Sequence, residues 1–110
     1  MRIWDVSPRS LCRKHLLGEH RELHALWTIL SENRKGYMSH PETKRWVGKL
    51  SALYTRHELL VTEMKRRGYN HDSPLDSRKA IGEKVQREFV HTVDEQKEIL
   101  HSKDCECPLE

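Results

Sequence analysis

Residues 12–32 read CRKHLLGEHRELHALWTILSE and predict a long amphipathic helix. Ser7 followed by Pro8 is typical of a helix N-terminus, so we expect this helix to run from there to about Glu32. At 100° per residue, the apolar side chains fall on one stripe. The stripe that should face the core consists of Cys12, Leu16, Leu23, Trp27 and Leu30.

The same helix carries a polar face that points away from the core. His15, Gly18 and Glu22 lie within about 60° of arc of one another, and Arg21 lies further from the apolar stripe. A glycine inside a helix costs about 1 kcal/mol relative to alanine. Another backbone or a ligand that approaches closely would be a physical reason for Gly18.

A second helix is predicted to begin between Pro41 and Trp46 and to end at Gly68. Its apolar positions step by four and three, which gives a second core-facing stripe. That stripe consists of Trp46, Leu50, Leu53, His57, Leu60 and Met64. We expect His57 to be a packed, hydrogen-bonded core histidine rather than a metal ligand.

The remaining segments carry weaker patterns. Residues 76–87 have helical character with few apolar anchors, and Thr92 with Glu95 has the form of a capping box that should open a helix from Val93 to about Ser102. Residues 33–39 are predicted to be a loop, and Met1–Val6 a short extended arm. The fold expected is an all-α, compact single domain of three to four helices, with the N-terminal arm packed on the first helix.

Length and charge narrow the class of protein. The 110 residues allow one domain, which we place at 1–108, with Leu109-Glu110 expected to be a cloning scar. The sequence shows no signal peptide and no membrane-length apolar run, so we expect a cytoplasmic protein, nucleoid-associated in a bacterium. Residues 1–70 carry 14 Lys/Arg against 7 Asp/Glu, whereas residues 71–110 carry 6 against 10. The basic part favours a polyanion as partner.

The three cysteines do not suggest a disulfide framework. Cys105 and Cys107 form a terminal Cys-Glu-Cys without the further ligands of a zinc pattern, and Cys12 is expected to be a buried, inert thiol.

Metal binding was weighed from histidine spacing. His20 and His24 are four residues apart, as are His15 and Glu19, and either pair could chelate an ion on one helix face. The order of residues between His20 and His24 is not that of the zinc-protease motif. We therefore expect no metal and no small-molecule cofactor.

Four blocks of sequence resemble the pyrimidine-dimer DNA glycosylases of the phage endonuclease V type. They are Arg2-Ile3, His15-Leu16, the Glu-His-Arg-Glu-Leu of Glu19–Leu23, and the Met-Lys-Arg-Arg-Gly-Tyr-Asn of Met64–Asn70. The spacing of the first three blocks agrees without gaps, and the resemblance covers roughly residues 1–70. It implies a helical DNA repair enzyme that binds damaged or abasic double-stranded DNA and acts as a glycosylase and AP lyase.

The resemblance also implies a nucleophile and a catalytic acid. In that family the α-amine of the first residue attacks the sugar C1′ to form an imine, and a helix glutamate assists. Met1 and Glu22 stand at those positions, and Met1 should be retained because Arg2 follows it. An α-amine has an ordinary pKa of about 7.7–8.0, so a useful fraction is neutral at cellular pH.

Five residues of the arm and first helix are the expected DNA contacts, namely Arg2, Arg13, Lys14, His15 and Arg21. A second basic group, Lys65–Arg67, is assigned first to the C-terminus of its helix, where cations are favourable. Ala25 and the acidic C-terminal segment depart from the phage enzyme, which has a further arginine and an aromatic, basic tail there. These departures leave the lesion open.

Two other functions fit the residues alone, and the oligomeric state is open in each. One is a non-enzymatic DNA-binding helical module that uses the same basic arm and helix. The other is a helical scaffold or oligomerisation protein, in which Trp4, Trp46 and Tyr54 would form a partner surface.

Overall fold

The computed structural model describes residues 2–32, 40–70 and 74–103. Four α-helices lie in these ranges: α1 Arg13–Ser31, α2 Pro41–Lys44, α3 Leu50–Arg66 and α4 Val93–His101. Two single 3₁₀ turns, Pro8–Ser10 and Ser77–Lys79, complete the regular structure, and no strand occurs among the described residues. The prediction of an all-α fold is confirmed. Within the same ranges, none of the helices has the length and apolar character that crossing a bilayer requires.

The first helix begins later than expected. Ser7-Pro8 opens a 3₁₀ turn rather than α1, and Leu11 is extended, with φ −93° and ψ 138°. Leu11 is fully buried, so the break carries its side chain into the core before α1 begins at Arg13. The single helix predicted from Pro8 to Glu32 was wrong in this respect.

The second predicted helix is also divided. α2 ends at Lys44, Gly48 has φ +74°, and α3 begins at Leu50. A positive φ is favourable for glycine and unfavourable for other residues, so Gly48 turns the chain between the two helices.

Backbone from a distant segment caps the N-terminus of α3. The preceding residue, Lys49, makes no side-chain cap, and the N–H groups of Ser51 and Ala52 donate instead to the carbonyls of Ile81 at 2.8 Å and Glu83 at 3.0 Å. These contacts satisfy donors that a helix cannot satisfy internally. The helical character predicted for residues 76–87 was therefore wrong beyond the Ser77–Lys79 turn.

Gly82 allows this capping segment to lie against the α2–α3 turn. Its φ is +85°, and a Cβ at that position would stand 2.1 Å from the carbonyl oxygen of Gly48. Glu83 donates its N–H to the same oxygen at 3.0 Å. No residue larger than glycine fits without a shift of backbone.

The core lies between α1 and α3, which pack against each other along their apolar stripes. Leu16, Leu23 and Trp27 of α1 are buried, as predicted. All six residues of the second stripe are buried as well: Trp46, Leu50, Leu53, His57, Leu60 and Met64. Leu30 is only partly buried, whereas Leu26 and Ile29 are buried without having been predicted, so periodicity identified the second face fully and the first face in part.

The N-terminal arm packs on α1, as expected. Ile3, Trp4 and Val6 are buried, and the Trp4 ring meets the His15 ring edge-on with centroids 6.1 Å apart. The backbone N–H of Trp4 donates to the carboxylate of Glu19. The arm therefore belongs to the core and has a defined position beside the polar face of α1.

α4 holds the other side of the arm. Thr92 and Glu95 form the predicted capping box, and the helix ends one residue before the expected Ser102. The buried Gln96 accepts the N–H of Asp5 at 2.7 Å. The hydrogen bond from Asp5 to Gln96 therefore helps to hold α4, which has few apolar residues, against the arm.

The aromatic partner surface proposed for a scaffold protein is not present. Trp4 and Trp46 are only 5% and 2% exposed, and Tyr54 packs against Trp27 with ring centroids 6.1 Å apart. These side chains are used inside the molecule, so that part of the scaffold alternative was wrong.

Candidate active site

A groove of about 550 Å³ follows the polar face of α1 beside the N-terminal arm. Among the predicted site residues it brings together Glu22 with four of the five expected DNA contacts. Its full lining is Arg2, Trp4, Lys14, His15, Leu17, Gly18, Glu19, Arg21, Glu22 and Lys103. A partly exposed carboxylate therefore shares an open groove with several cations.

A buried ion pair forms the base of the groove. Arg56 of α3 donates from Nε to Oε2 of Glu19 at 2.7 Å and from Nη2 to Oε1 at 2.9 Å. Its Nη1 also donates to the carbonyl of Val6 at 2.9 Å. Burial raises the pKa of Glu19, while the charge of Arg56 and its hydrogen bonds act in the opposite direction. Arg56 thus joins α3, α1 and the arm.

The arm positions Arg2 at the edge of the groove. The Arg2 guanidinium lies over the Trp4 ring, 5.0 Å from its centroid, and its Nη1 is 3.0 Å from Nδ1 of His91. A cation held over an aromatic face in this way is partly pre-oriented. Arg2 can therefore contact a phosphate with less loss of side-chain freedom than an unsupported arginine.

His15 lines the groove, and its pKa is lowered there. Burial lowers its pKa below the ordinary 6.5, and the charges of Lys103 and Lys14 lower it further. The Sγ of Cys12, which is half-buried rather than fully buried as predicted, lies 3.2 Å from its Nδ1. The neutral ring, which can both donate and accept a hydrogen bond, is therefore favoured over the charged ring.

Gly18 opens onto the groove. No heavy atom of the described neighbours lies within 4 Å of the position that a Cβ would take. A backbone that packs closely against Gly18 was one suggested reason for this glycine. Within residues 2–32, 40–70 and 74–103, no other segment of the chain does so. An external ligand remains the alternative from the sequence analysis.

Arg13, the fifth expected DNA contact, does not line the groove. It is exposed, and its guanidinium lies over the Tyr69 ring, 5.3 Å from the centroid. Met1, Cys105 and Cys107 lie outside the described residues.

The basic group lies at the C-terminal end of α3, as predicted, and Arg67 makes a tertiary contact in addition. Arg66 and Arg67 both bind the carboxylate of Glu63, and Arg67 also donates to the carbonyl of Leu11 at 2.7 Å. Hydrogen bonds from Arg66 and Arg67, with their charges, lower the pKa of Glu63 to about 2. The assignment to the helix C-terminus missed this link between α3 and the residues before α1.

Trp4 and Lys103 line the groove but were not among the predicted site residues. Trp4 supports the guanidinium of Arg2 from beneath, in an arm where Ile3 and Trp4 are both buried. Lys103 follows α4 and joins the groove only through tertiary packing. No local pattern connects it with α1.

Next to this groove, α1 and α3 bring three histidines together. His20 and His24 of α1 meet His57 of α3, with candidate ligand atoms all within 4.8 Å of one another. His20 and His24 line a second groove with Leu17 and Arg21, and the latter two residues also line the first groove. Among the described residues, this cluster has the composition of a metal site.

One comparison with known proteins identifies a family. A family model described as pyrimidine dimer DNA glycosylase matches residues 1–77. No curated protein and no solved structure matches the chain. The matched range contains the arm, α1 and α3, and with them every groove residue except Lys103.

Proposed function

The chain belongs to the pyrimidine dimer DNA glycosylase family, and on that premise we propose that it is a DNA glycosylase with AP lyase activity. Its substrates are pyrimidine dimers or related damaged or abasic sites in double-stranded DNA. The observation that supports this most directly is the groove in which Glu22 lies among Arg2, Lys14 and Arg21.

The proposed nucleophile is the α-amine of Met1. The neutral amine attacks C1′ of the damaged nucleotide, the bond from C1′ to the base breaks, and the base leaves with the electron pair and gains a proton. The bond from C1′ to the ring oxygen O4′ then breaks as the imine forms, and the two protons lost by the amine balance those gained by the base and by O4′. Met1 itself is outside the described residues, but Arg2, to which it is joined by one peptide bond, lines the groove. This connection supports an amine within reach of a sugar bound there.

Glu22 is the proposed acid and base. Once the imine has formed, its carboxylate removes a proton from C2′, the C3′–O bond breaks, and the 3′ phosphate leaves with the electron pair. Water then hydrolyses the imine and releases the amine. A positioned carboxylate of this kind contributes about 10²–10⁴-fold to a proton transfer.

The cations of the groove have a positioning role. Arg2, Lys14 and Arg21 are suited to phosphate contacts, which fix the register of a duplex without reading its sequence. Lys103 adds a fourth cation from the other end of the chain. His15 is proposed as a neutral hydrogen-bonding contact, and Arg13 as a contact to DNA that extends past the groove.

An enzyme of this kind must reach an atom inside a stacked duplex. Extruding or unstacking a nucleotide costs a few kcal/mol, and least for a distorted lesion. The open groove beside Gly18 has room for an approaching backbone. We propose that the damaged strand lies along α1 at this glycine.

Borohydride trapping on a duplex that contains an abasic site tests the proposal. Reduction converts an imine into a stable amine, so we expect a covalent protein–DNA product that disappears when the α-amine is blocked by acetylation. An intact duplex of the same sequence is the control substrate.

Two outcomes would contradict the proposed reaction. Absence of a trapped product, with DNA binding retained, would favour the non-enzymatic DNA-binding module. If trapping persisted after the α-amine was blocked, the nucleophile would be a lysine and not the α-amine of Met1.

A further inference from the structure

Three imidazoles converge where the polar edge of α1 meets α3. The ring centroids of His20 and His24 are 4.6 Å apart, and the His57 ring lies 5.1 Å from His20 and 5.0 Å from His24. His57 is fully buried, whereas His20 and His24 are partly exposed. The cluster thus has one ligand fixed in the core and two at the surface of a helix.

The distance between two of the ring nitrogens suits a tetrahedral ion. Nε2 of His24 and Nε2 of His57 are 3.2 Å apart. Two nitrogens at the usual zinc distance of about 2.0–2.1 Å are separated by about 3.3 Å in tetrahedral geometry. His20 lies four residues before His24 on the same helix face, and its candidate ligand atom lies within 4.8 Å of those of His24 and His57.

Glu58 orients the buried ligand. Its Oε1 lies 3.0 Å from Nδ1 of His57. A proton on Nδ1 that is donated to this carboxylate leaves the lone pair of Nε2 directed at His24. Histidines that bind metals in proteins are usually fixed in this way by a carboxylate or a carbonyl on the other ring nitrogen.

Histidine spacing alone predicted no metal, and His57 was expected to be a structural core histidine. From the geometry of the cluster we propose instead that His20, His24 and His57 form a binding site for a divalent transition-metal ion, with Zn²⁺ as the best fit. Imidazole ligands suit Zn²⁺, and three protein ligands leave a fourth position for water or an anion. His20 and His24 line the second groove together with Arg21, whose positive charge favours an anion there. The site is separate from the imine chemistry, which uses an amine and a carboxylate and passes no step through a metal.

A metal here would join the two helices that form the core. His20 and His24 lie on α1 and His57 on α3, so one ion would bridge them at the surface. A metal that binds the folded protein but not the unfolded chain stabilises the folded state, and the effect increases with the logarithm of the ratio of free metal concentration to Kd. The readout is therefore stability as well as affinity, and it does not depend on any catalytic activity.

The test uses untagged full-length protein that has been treated with a chelator and then titrated with ZnCl₂ by calorimetry. We expect one ion per chain, a rise in Tm on addition of zinc, and, with Co²⁺ instead, the visible absorption of tetrahedral nitrogen coordination. His20→Gln and His24→Gln retain the buried His57 and should still fold. We expect each to abolish the cobalt spectrum and most of the affinity.

Two further variants separate a metal site from a structural histidine cluster. Glu58→Gln should lower zinc affinity by about 10–100-fold, the usual effect of losing a group that orients a ligand. His101→Gln removes an exposed histidine at the end of α4 and should leave affinity unchanged. No zinc binding by the native chain, or equal losses in His24→Gln and His101→Gln, would overturn the proposal and leave only a His24–His57 hydrogen bond.

Discussion

Arg56 and Glu19 form a buried pair with two parallel hydrogen bonds, of 2.7 and 2.9 Å, between α3 and α1. The carboxylate of Glu19 also accepts the N–H of Trp4, and Arg56 also donates to Val6. A charge pair inside the core therefore determines where the N-terminal arm lies. Because Arg2 belongs to that arm, the pair also positions one side of the groove.

Arg56→Met should lower the free energy of unfolding by about 3–5 kcal/mol, because the carboxylate of Glu19 would remain buried without its partner. Urea denaturation followed by circular dichroism measures the change. The double variant Glu19→Leu, Arg56→Met should recover part of the loss, since it buries no lone charge. Arg78→Met, at an exposed pair with Asp76, is the control and should have little effect. A double variant as unstable as the sum of the single ones would contradict this account.

Glu22→Gln should reduce cleavage at abasic sites by about 10²–10⁴-fold, because the amide cannot accept the C2′ proton. Its affinity for the same duplex should be nearly unchanged, since Glu22 makes no favourable contact with phosphate. Single-turnover cleavage and fluorescence anisotropy separate the two quantities. Glu98→Gln, on the exposed side of α4, is the matched control. Equal cleavage by the Glu22 and Glu98 variants would remove Glu22 from the mechanism.

Arg21→Gln should reduce the salt dependence of duplex binding by about 0.9 in the slope of log K against log salt, as expected for one lost phosphate contact.

His15→Gln should leave that slope unchanged at neutral pH. Burial and the charges of Lys103 and Lys14 lower the pKa of His15 below the ordinary 6.5, which favours the neutral ring at neutral pH. Anisotropy titrations at several salt concentrations measure both slopes. A reduced slope for His15→Gln at neutral pH would show that the ring is charged when DNA is bound.

The sequence predicted the parts of the fold that depend on local periodicity. The α3 stripe, the central part of the α1 stripe and the Thr92–Glu95 capping box were confirmed, because each is a pattern within a few helical turns. The polar face of α1 was predicted for the same reason, and it became the wall of the groove.

What the sequence did not reveal depends on contacts between distant residues. Residues 81–83 are not helical, and two of their carbonyls cap the N-terminus of α3, which lies about 30 positions earlier in the chain. The N–H of Ser51, for example, donates to the carbonyl of Ile81. Glu19 and Arg56 are 37 positions apart, and His24 and His57 are 33 apart. Periodicity shows which face of a helix is buried, but it does not show which side chain of another helix lies opposite.

Stability in acid should depend on Glu63. Hydrogen bonds and charges from Arg66 and Arg67 lower its pKa from 4.5 to about 2 in the folded protein. A lowered carboxyl pKa adds stability that is fully present above about pH 4.5 and is lost as the pH falls through about 2. Glu63→Gln should therefore show a smaller decrease in Tm across that range than the native protein.

The control for this comparison is Glu98→Gln, at an exposed carboxylate of α4. Its decrease in Tm over the same range should match that of the native protein. If the Glu63 variant followed the native curve too, the links from Arg66 and Arg67 to Glu63 would contribute nothing in solution.

Gly18 and Gly82 should respond to alanine in opposite ways. At Gly82 the φ of +85° and the 2.1 Å approach to the carbonyl of Gly48 leave no space for a methyl group, so Gly82→Ala should destabilise the protein by more than about 1 kcal/mol. At Gly18, apart from the adjacent residues and the backbone of its own helix, no atom lies within 4 Å of the position of a Cβ, and alanine is favoured in a helix by about 1 kcal/mol. Gly18→Ala should therefore raise the stability to urea.

The same Gly18→Ala variant should bind a lesion-containing duplex less well, because its methyl group enters the groove where we place the damaged strand. If the glycine is needed for DNA to approach and not for folding, Gly18→Ala should increase stability and decrease affinity for DNA together. Urea denaturation and anisotropy on the same preparation measure both. If stability rose while affinity and cleavage stayed at native values, DNA would not approach α1 at Gly18, and the strand would have to lie elsewhere along the groove.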